Sequence, residues 1–129
     1  MLADKSAVAS IAVKDMEAAK KFYEGTLGLT KSDREDPGGT MYKSGDSMVF
    51  VYPSEFAGTN KATACSWGVG DDIESIVDGL KAKGVTFEQY DNIPAPGFKR
   101  EGDIHIIGDL KAAWFKDPDG NILNLVNKM

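Results

Sequence analysis

Few side chains in this 129-residue chain could perform acid–base, nucleophilic or metal chemistry. The sequence contains one histidine, His105, and one cysteine, Cys65. It has no Ser–His–Asp order, nucleotide-type glycine loop or zinc-ligand spacing. Cys65 lies in an apolar segment without a basic neighbour, which favours a small buried side chain over a nucleophile. The residue types alone therefore define no catalytic group.

His105, within Gly102–Gly108, has two interpretations. It is either a partly exposed residue of a loop or edge strand, or a hydrogen-bonding or protonating group at the mouth of a pocket. Because neither a second histidine nor a matched carboxylate motif accompanies it, the first interpretation is favoured. The second keeps His105 among the candidate ligand-binding residues.

Asn124 is the polar residue of an otherwise apolar run, Ile122–Val126. Alternate residues of a strand share a face, so Asn124 is predicted to lie beside Ile122 and Val126. It either lines a wet or ligand-filled space or is a hydrogen-bonded amide of the core. Both interpretations remain open at the level of sequence.

A turn, Asp117–Asn121, joins this run to a second strand-like run, Lys111–Lys116. Pro118 supplies the φ angle of a turn's second position, and Gly120 tolerates a positive φ. The pattern predicts a β-hairpin, around which the rest of the chain is organised.

Aromatic side chains are frequent on the predicted strands, and alternation places about half of them on one face. An indole with one or two further rings and an amide would form a slot for a flat or amphipathic molecule. The candidate ligand-binding residues are Phe50, Tyr52, Trp67, His105, Trp114 and Asn124.

The order of predicted elements occurs twice. Each half has a strand, a helix with an aspartate cap and a closing glycine, and three further strands. The caps are Asp15 and Asp72, and the closing residues Gly28 and Gly84 coincide after a shift of 56 residues. The first half has strands at 7–13, 29–32, 40–43 and 47–52, and the second at 63–69, 85–90, 111–116 and 122–126.

This repeat predicts an α+β protein of two tandem βαβββ modules in one domain. Module one covers about 6–53, the linker 54–61, and module two about 62–127. Within module two, the segment 91–109 is predicted to be a long loop, and the mixed charges near Lys99 a solvated part of it.

The composition excludes several kinds of partner. A net charge of -5 argues against nucleic acid or an anionic membrane. No apolar run approaches the ~18 residues needed to span a bilayer. The N-terminus lacks the apolar region of a secretory signal, and the single cysteine fits a reducing compartment, so a cytoplasmic location is expected.

Three segments resemble motifs of the vicinal oxygen chelate superfamily, also known as the glyoxalase/bleomycin resistance protein/dioxygenase group. They are Val13–Leu29, Asp71–Glu74 with Gly84-Val85, and Phe115–Leu123. The resemblance covers nearly the whole chain. It implies a curved mixed sheet around a cavity and, frequently, a homodimer. It implies no single reaction, because the group contains glyoxalase I, extradiol dioxygenases, fosfomycin-resistance transferases and bleomycin-binding proteins.

Enzymes of this group hold a divalent metal with His, Gln or Glu side chains. Transferred by motif, the four ligand positions fall on Val8, Phe50, Ala64 or Cys65, and Asn124. These residues offer too few of the oxygen or nitrogen donors that divalent cations require. We therefore expect no metal or other cofactor, the alternative being a divalent ion at a displaced site.

Three functions remain. The first is a metal-free protein that sequesters an aromatic or amphipathic compound, such as an antibiotic. The second is an enzyme of the glyoxalase type, a lyase, isomerase or thiol transferase, with a displaced metal or an acid–base mechanism. The third is a non-catalytic dimer module without a specific ligand.

Overall fold

Two mixed β-sheets, each built by one half of the chain, turn their helix-covered faces towards a single core. The computed structural model describes residues 1–34 and 36–128. Core residues from both halves pack together, among them Ile11 and Tyr42 from the first and Leu80 and Phe115 from the second. The opposite face of each sheet points away from this core, and these outer faces carry the candidate site.

The first sheet has four strands in the order β1-β4-β3-β2, with β1 parallel to β4. The strands are β1 (Ala9–Val13), β2 (Thr30–Lys31), β3 (Thr40–Ser44) and β4 (Ser47–Pro53). Along β1, Ile11 and Val13 are buried, whereas Ser10 and Ala12 are more exposed. The side chains of β1 therefore alternate between the core and the outer face.

The helix of module one begins as predicted. Asp15 caps it by accepting hydrogen bonds from the backbone amides of Glu17 and Ala18. The helix α1 (Met16–Lys20) then continues as a π-helix (Lys21–Thr26), so the expectation of a regular α-helix to residue 27 was wrong for its second half. The wider turn presents Tyr23 to the second module.

The second sheet contains five strands in the order β5-β10-β9-β8-β7, and a sixth, β6, pairs with β9. Its helix, α2 (Ile73–Ala82), follows a single 3₁₀ turn (Gly70–Asp72). The strands are β5 (Thr63–Gly68), β6 (Phe87–Glu88), β7 (Lys99–Glu101), β8 (Ile104–Ile107), β9 (Leu110–Lys116) and β10 (Ile122–Val126).

Two expectations for module two need correction. The segment 91–109 is not only a loop, because β7 and β8 form a hairpin within it that extends the sheet beyond β9. The mixed charges near Lys99, which predicted a loop, belong to β7. This short strand lies at the edge of the sheet, where charged side chains are common. Asp72 lies at the N-cap of α2, but its side chain makes no cap hydrogen bond.

The predicted turn at Asp117 joins the two modules. The carboxyl group of Asp117 accepts hydrogen bonds from the Tyr23 hydroxyl and the Asn121 amide, each 2.8 Å long. The same Asn121 amide donates to the carbonyl of Ala12 at 2.7 Å. Asp119 accepts from the backbone amide of Lys14 at 3.0 Å. This network fixes module two against the end of β1.

None of the helices in residues 1–34 and 36–128 is both long enough and apolar enough to cross a membrane.

Candidate functional site

The outer face of the second sheet brings Asn124 and Trp114 together. Asn124 on β10 lies directly opposite Trp114 on β9 and beside Ser66 on β5. Residues opposite each other in a ladder share a face, so these three side chains point to the same side. The neighbouring Leu123 and Leu125 point into the core. Ile122 and Val126 lie on the same face of β10 as Asn124, as the alternation predicted.

Asn124 is 5% exposed, yet its amide takes part in none of the side-chain hydrogen bonds formed among the described residues. The other two asparagines of this region differ from it. Asn121 donates to Ala12, and Asn127 bonds to the backbone of Lys111 and Asp109. Among the described residues, Asp36 Oδ2 is the only fully buried side-chain polar atom without a partner, so the Asn124 amide is not completely removed from solvent. Asn124 therefore lies on the outer face of the sheet and is not one of the hydrogen-bonded side chains of the core.

Four rings form an aromatic wall beside Asn124, which consists of Tyr90, Phe98, His105 and Trp114. The Trp114 indole meets His105 edge to face at 4.9 Å and Tyr90 at 5.5 Å between ring centroids. Phe98 stacks on His105 at 6.0 Å. The indole N–H donates to the Thr63 hydroxyl at 3.1 Å, which sets the orientation of the ring. Trp114 remains half-buried and presents an ordered aromatic surface.

His105 is not the partly exposed residue that the sequence favoured. It is 1% exposed, because β8 lies between β7 and β9 and the wall closes over the ring. Its Nε2 accepts the backbone N–H of Tyr90 at 2.8 Å, and its Nδ1 lies 3.3 Å from the carbonyl of Ala112. These partners require a neutral ring protonated at Nδ1. Burial lowers the pKa of His105 below its ordinary value.

Trp67 does not join the other candidates. Its partner in the β5–β10 ladder is Leu125, so Trp67 faces the helices rather than Asn124. The indole N–H donates to the Ser44 hydroxyl at 2.8 Å. The ring lines an apolar cavity of about 230 Å³ between the modules. Alternation along β5 places Trp67 and Asn124 on opposite faces of the sheet. The prediction that Trp67 lines the same slot as Asn124 was therefore wrong.

Phe50 and Tyr52 occupy the outer face of the first sheet. Their rings stack with centroids 5.8 Å apart and planes inclined by 10°, and both are half-buried. Phe50 lies opposite Ser10 on β1, which adjoins β5. Three strand steps, roughly 14 Å or more, therefore separate Phe50 from Asn124. The chain thus carries two aromatic patches, one on each outer face.

The metal positions implied by the family resemblance do not fit a metal ion. Val8, Phe50 and Ala64 offer no donor. Cys65 pairs with Leu123, so it lies on the face opposite to Asn124, and burial raises the pKa of its thiol. The neutral Asn124 amide is a poor ligand by itself. In the described part of the chain, no three His, Cys, Asp or Glu side chains are close enough to hold a metal.

Tyr90 and Ser66 belong to this face but were missing from the sequence candidates. Burial and then Glu88 raise the pKa of Tyr90, so its phenol stays protonated and can donate a hydrogen bond. Ser66 was identifiable, because it lies two residues from Ala64 on a predicted strand of alternating pattern. Tyr90 gave no such signal, because its contact with Trp114 depends on how the segment after β6 folds back.

Known structures with this fold cover nearly the whole chain. A bleomycin resistance determinant encoded on the transposon Tn5 shares 21% identity, with 96% of this chain and 98% of that chain covered and a TM-score of 0.69. The fosfomycin resistance protein FosX from Mesorhizobium loti shares 14% identity, with 100% and 95% covered and a TM-score of 0.68. A glyoxalase/bleomycin resistance protein from Streptomyces sp. CB03234 shares 24% identity, with 94% and 98% covered and a TM-score of 0.62.

These likenesses confirm the predicted fold. Comparison with curated protein sequences returns no match. The sequence profile of the Glyoxalase/Bleomycin resistance protein/Dioxygenase superfamily matches residues 5–125. The motifs, the paired modules and this profile agree, and the chain belongs to the glyoxalase/bleomycin resistance protein/dioxygenase superfamily.

Proposed function

We propose that this protein binds an aromatic or amphipathic small molecule, such as an antibiotic, without a metal ion and without turning it over. The observation that carries the proposal is the position of Asn124 on the outer face opposite Trp114, where its amide takes part in none of the hydrogen bonds formed by the described side chains. A ligand with a hydrogen-bonding group beside a flat ring would satisfy the amide and pack against Trp114. The resistance proteins among the structural neighbours are consistent with a ligand of this class.

The residues of this face support binding without turnover. Catalysis requires a metal, a tuned acid–base pair or an activated nucleophile that stabilises a transition state. His105 uses both ring nitrogens for backbone contacts, and burial favours the protonated thiol of Cys65 on the other face. Binding requires only an apolar surface and a few placed polar groups, and Asn124, Ser66 and the aromatic wall supply them.

We further propose that the protein is a homodimer whose partner completes the ligand site. The chain exposes 7995 Å², whereas a compact monomer of 13.9 kDa exposes roughly 6,700 Å². Half-buried apolar side chains cover the outer faces of both sheets, where neither helix lies: Met41, Met48, Phe50, Tyr52, Trp114, Ile122 and Val126. A two-fold partner would cover these faces and bring the Phe50 patch of one chain to the Asn124 patch of the other.

Tryptophan fluorescence tests the proposed binding directly. The purified protein would be titrated with a panel of aromatic and amphipathic antibiotics, and the bound compound would then be recovered and analysed by mass spectrometry. We expect saturable binding and recovery of the unchanged compound. Chemical conversion over several turnovers would overturn sequestration and favour the enzyme alternative. No binding across the panel would favour a dimer module without a ligand.

A further inference from the structure

His105 connects the aromatic wall to the backbone on both sides of β8. Its Nε2 accepts the Tyr90 N–H at 2.8 Å, and its Nδ1–H donates to the Ala112 carbonyl at 3.3 Å. Ala112 lies on β9 two residues before Trp114, and Tyr90 follows β6. One neutral imidazole thus fixes the positions of two segments that carry rings of the wall.

The ring of His105 also packs against the other three members of the wall. Its centroid lies 4.9 Å from Trp114 with an interplanar angle of 85°, and 5.6 Å from Tyr90. Phe98 stacks on the remaining side with an angle of 21°. Because Tyr90 and Trp114 contact each other as well, displacement of the imidazole would move both.

We propose that His105 is a positioning residue for ligand binding: as the neutral Nδ1–H tautomer it holds Tyr90 and Trp114 in the binding geometry, and protonation of Nε2 releases them. Protonation would place an N–H on Nε2 against the N–H of Tyr90, and two donors cannot share this contact. The consequence for affinity rests on the proposed function. The coupling between His105 and the two rings does not.

The charged groups around His105 influence the pH at which this release occurs. Arg100 on β7 lies opposite His105 and disfavours a second positive charge, whereas Asp91, bound to Arg100 at 2.8 Å, favours it. Asp103 in the β7–β8 turn is paired with Lys81, and Glu88 on β6 with Lys116. On the β9 side the contact is the uncharged Ala112. Burial is the largest influence and lowers the pKa of His105, so release is expected below the ordinary histidine value of about 6.5.

The ligand-free protein allows a direct test, because His105 is the only histidine and only two tryptophans are present. Nitrogen-15 NMR of the imidazole would report the tautomer and the pKa without assignment ambiguity. In a Trp67→Phe background, fluorescence reports Trp114 alone. We expect the Nδ1–H tautomer, a pKa below about 6.5, and the same midpoint for the Tyr90 amide shift and the Trp114 signal. An Nε2–H tautomer would overturn the proposal. So would a Trp114 fluorescence signal that does not change as His105 titrates.

Two variants connect this titration to ligand binding. His105→Gln keeps an acceptor for the Tyr90 N–H but does not titrate, whereas His105→Phe keeps a ring but offers no acceptor. Each pH unit below the His105 pKa should weaken binding of a panel antibiotic by up to about tenfold in the wild type. Binding by His105→Gln should be nearly independent of pH there, and His105→Phe should bind weakly throughout. Circular dichroism would verify folding at each pH.

The outcomes separate the two proposals. If no compound binds at any pH, the proposed function fails, while the NMR and fluorescence titrations still decide whether His105 positions the rings. If a compound binds and the wild type and His105→Gln show the same pH dependence, positioning by His105 is wrong, whereas sequestration stands.

Discussion

The hydroxyl of Tyr23 donates a 2.8 Å hydrogen bond to Asp117, and this contact joins the π-helix of module one to the hairpin turn of module two. Tyr23 is fully buried, and burial together with the charge of Asp117 raises the pKa of its phenol, so the group remains a donor. The pairing of the modules thus depends on a polar contact inside an apolar core. Its strength is open to measurement.

Replacement of Tyr23 by Phe should lower the free energy of unfolding by about 1.5–3 kcal/mol, because the Asp117 carboxylate loses a buried donor. Urea denaturation followed by circular dichroism would measure the change. Tyr52→Phe is the control: the Tyr52 hydroxyl forms none of the hydrogen bonds among the described residues, so its removal should cost less than about 0.5 kcal/mol. Equal losses in the two variants would contradict a special role for the Tyr23 contact.

Gly58 in the linker should tolerate no side chain. Its φ is +73°, and a Cβ there would lie 2.0 Å from the carbonyl oxygen of Asp119. Gly58→Ala should therefore lose more stability than Gly45→Ala, whose φ is +56° but whose Cβ would meet nothing within 4 Å. The Gly45 variant should lose about 1–2 kcal/mol from backbone strain alone. Thermal unfolding of both proteins would check the order, and a smaller loss for Gly58→Ala would refute the close contact.

The purified protein should contain well under one divalent metal ion per chain. The positions implied by the family offer only the Asn124 amide, or a Cys65 thiol on the opposite face, and neither makes a site. Elemental analysis after expression with zinc, nickel, iron and manganese would measure the content. One ion per chain that is lost in Asn124→Ala would contradict the prediction, and added chelator should leave the melting temperature unchanged.

A mass near twice 13.9 kDa is expected in light scattering at tens of micromolar. Met48→Asp should shift the protein towards a monomer, because it places a charge on the outer face of the first sheet. Phe56→Asp is a matched change at a linker residue that is 69% exposed, and this variant should stay dimeric. A wild-type monomer would contradict the homodimer proposal.

Trp114→Ala should weaken binding of an identified ligand by 1–3 kcal/mol, roughly 5- to 150-fold, because a stacking surface is lost. Asn124→Ala should cost about 1 kcal/mol if the amide forms one hydrogen bond to the ligand. Trp67→Phe is the control, since Trp67 faces the cavity between the modules. Isothermal calorimetry would give the three affinities. If only Trp67→Phe lowered the affinity, the ligand site would lie in that cavity instead.

The hairpin around Asp117 was predictable because its information is local. Pro118 and Gly120 impose backbone angles, and alternation of apolar residues assigns Asn124 to one face of β10. The caps at Asp15 and the closing glycines follow from the same short-range rules. The repeat of these signals after 56 residues then predicts two modules and, through the shared motifs, the superfamily.

Tertiary structure alone decided which side of each strand became the core. Alternation separates Trp67 from Asn124 but does not say which residue faces the helices; the packing of α2 and module one against β5 does. The burial of His105 required the β7–β8 hairpin to fold beside β9, a contact between segments whose charges resemble a loop. The sequence determined the hairpin at Asp117, the cap at Asp15 and the grouping of side chains on each predicted strand, because turns, caps and alternation act over a few residues. The fold determined the site, because Tyr90, His105, Trp114 and Asn124 meet only through pairing between distant strands.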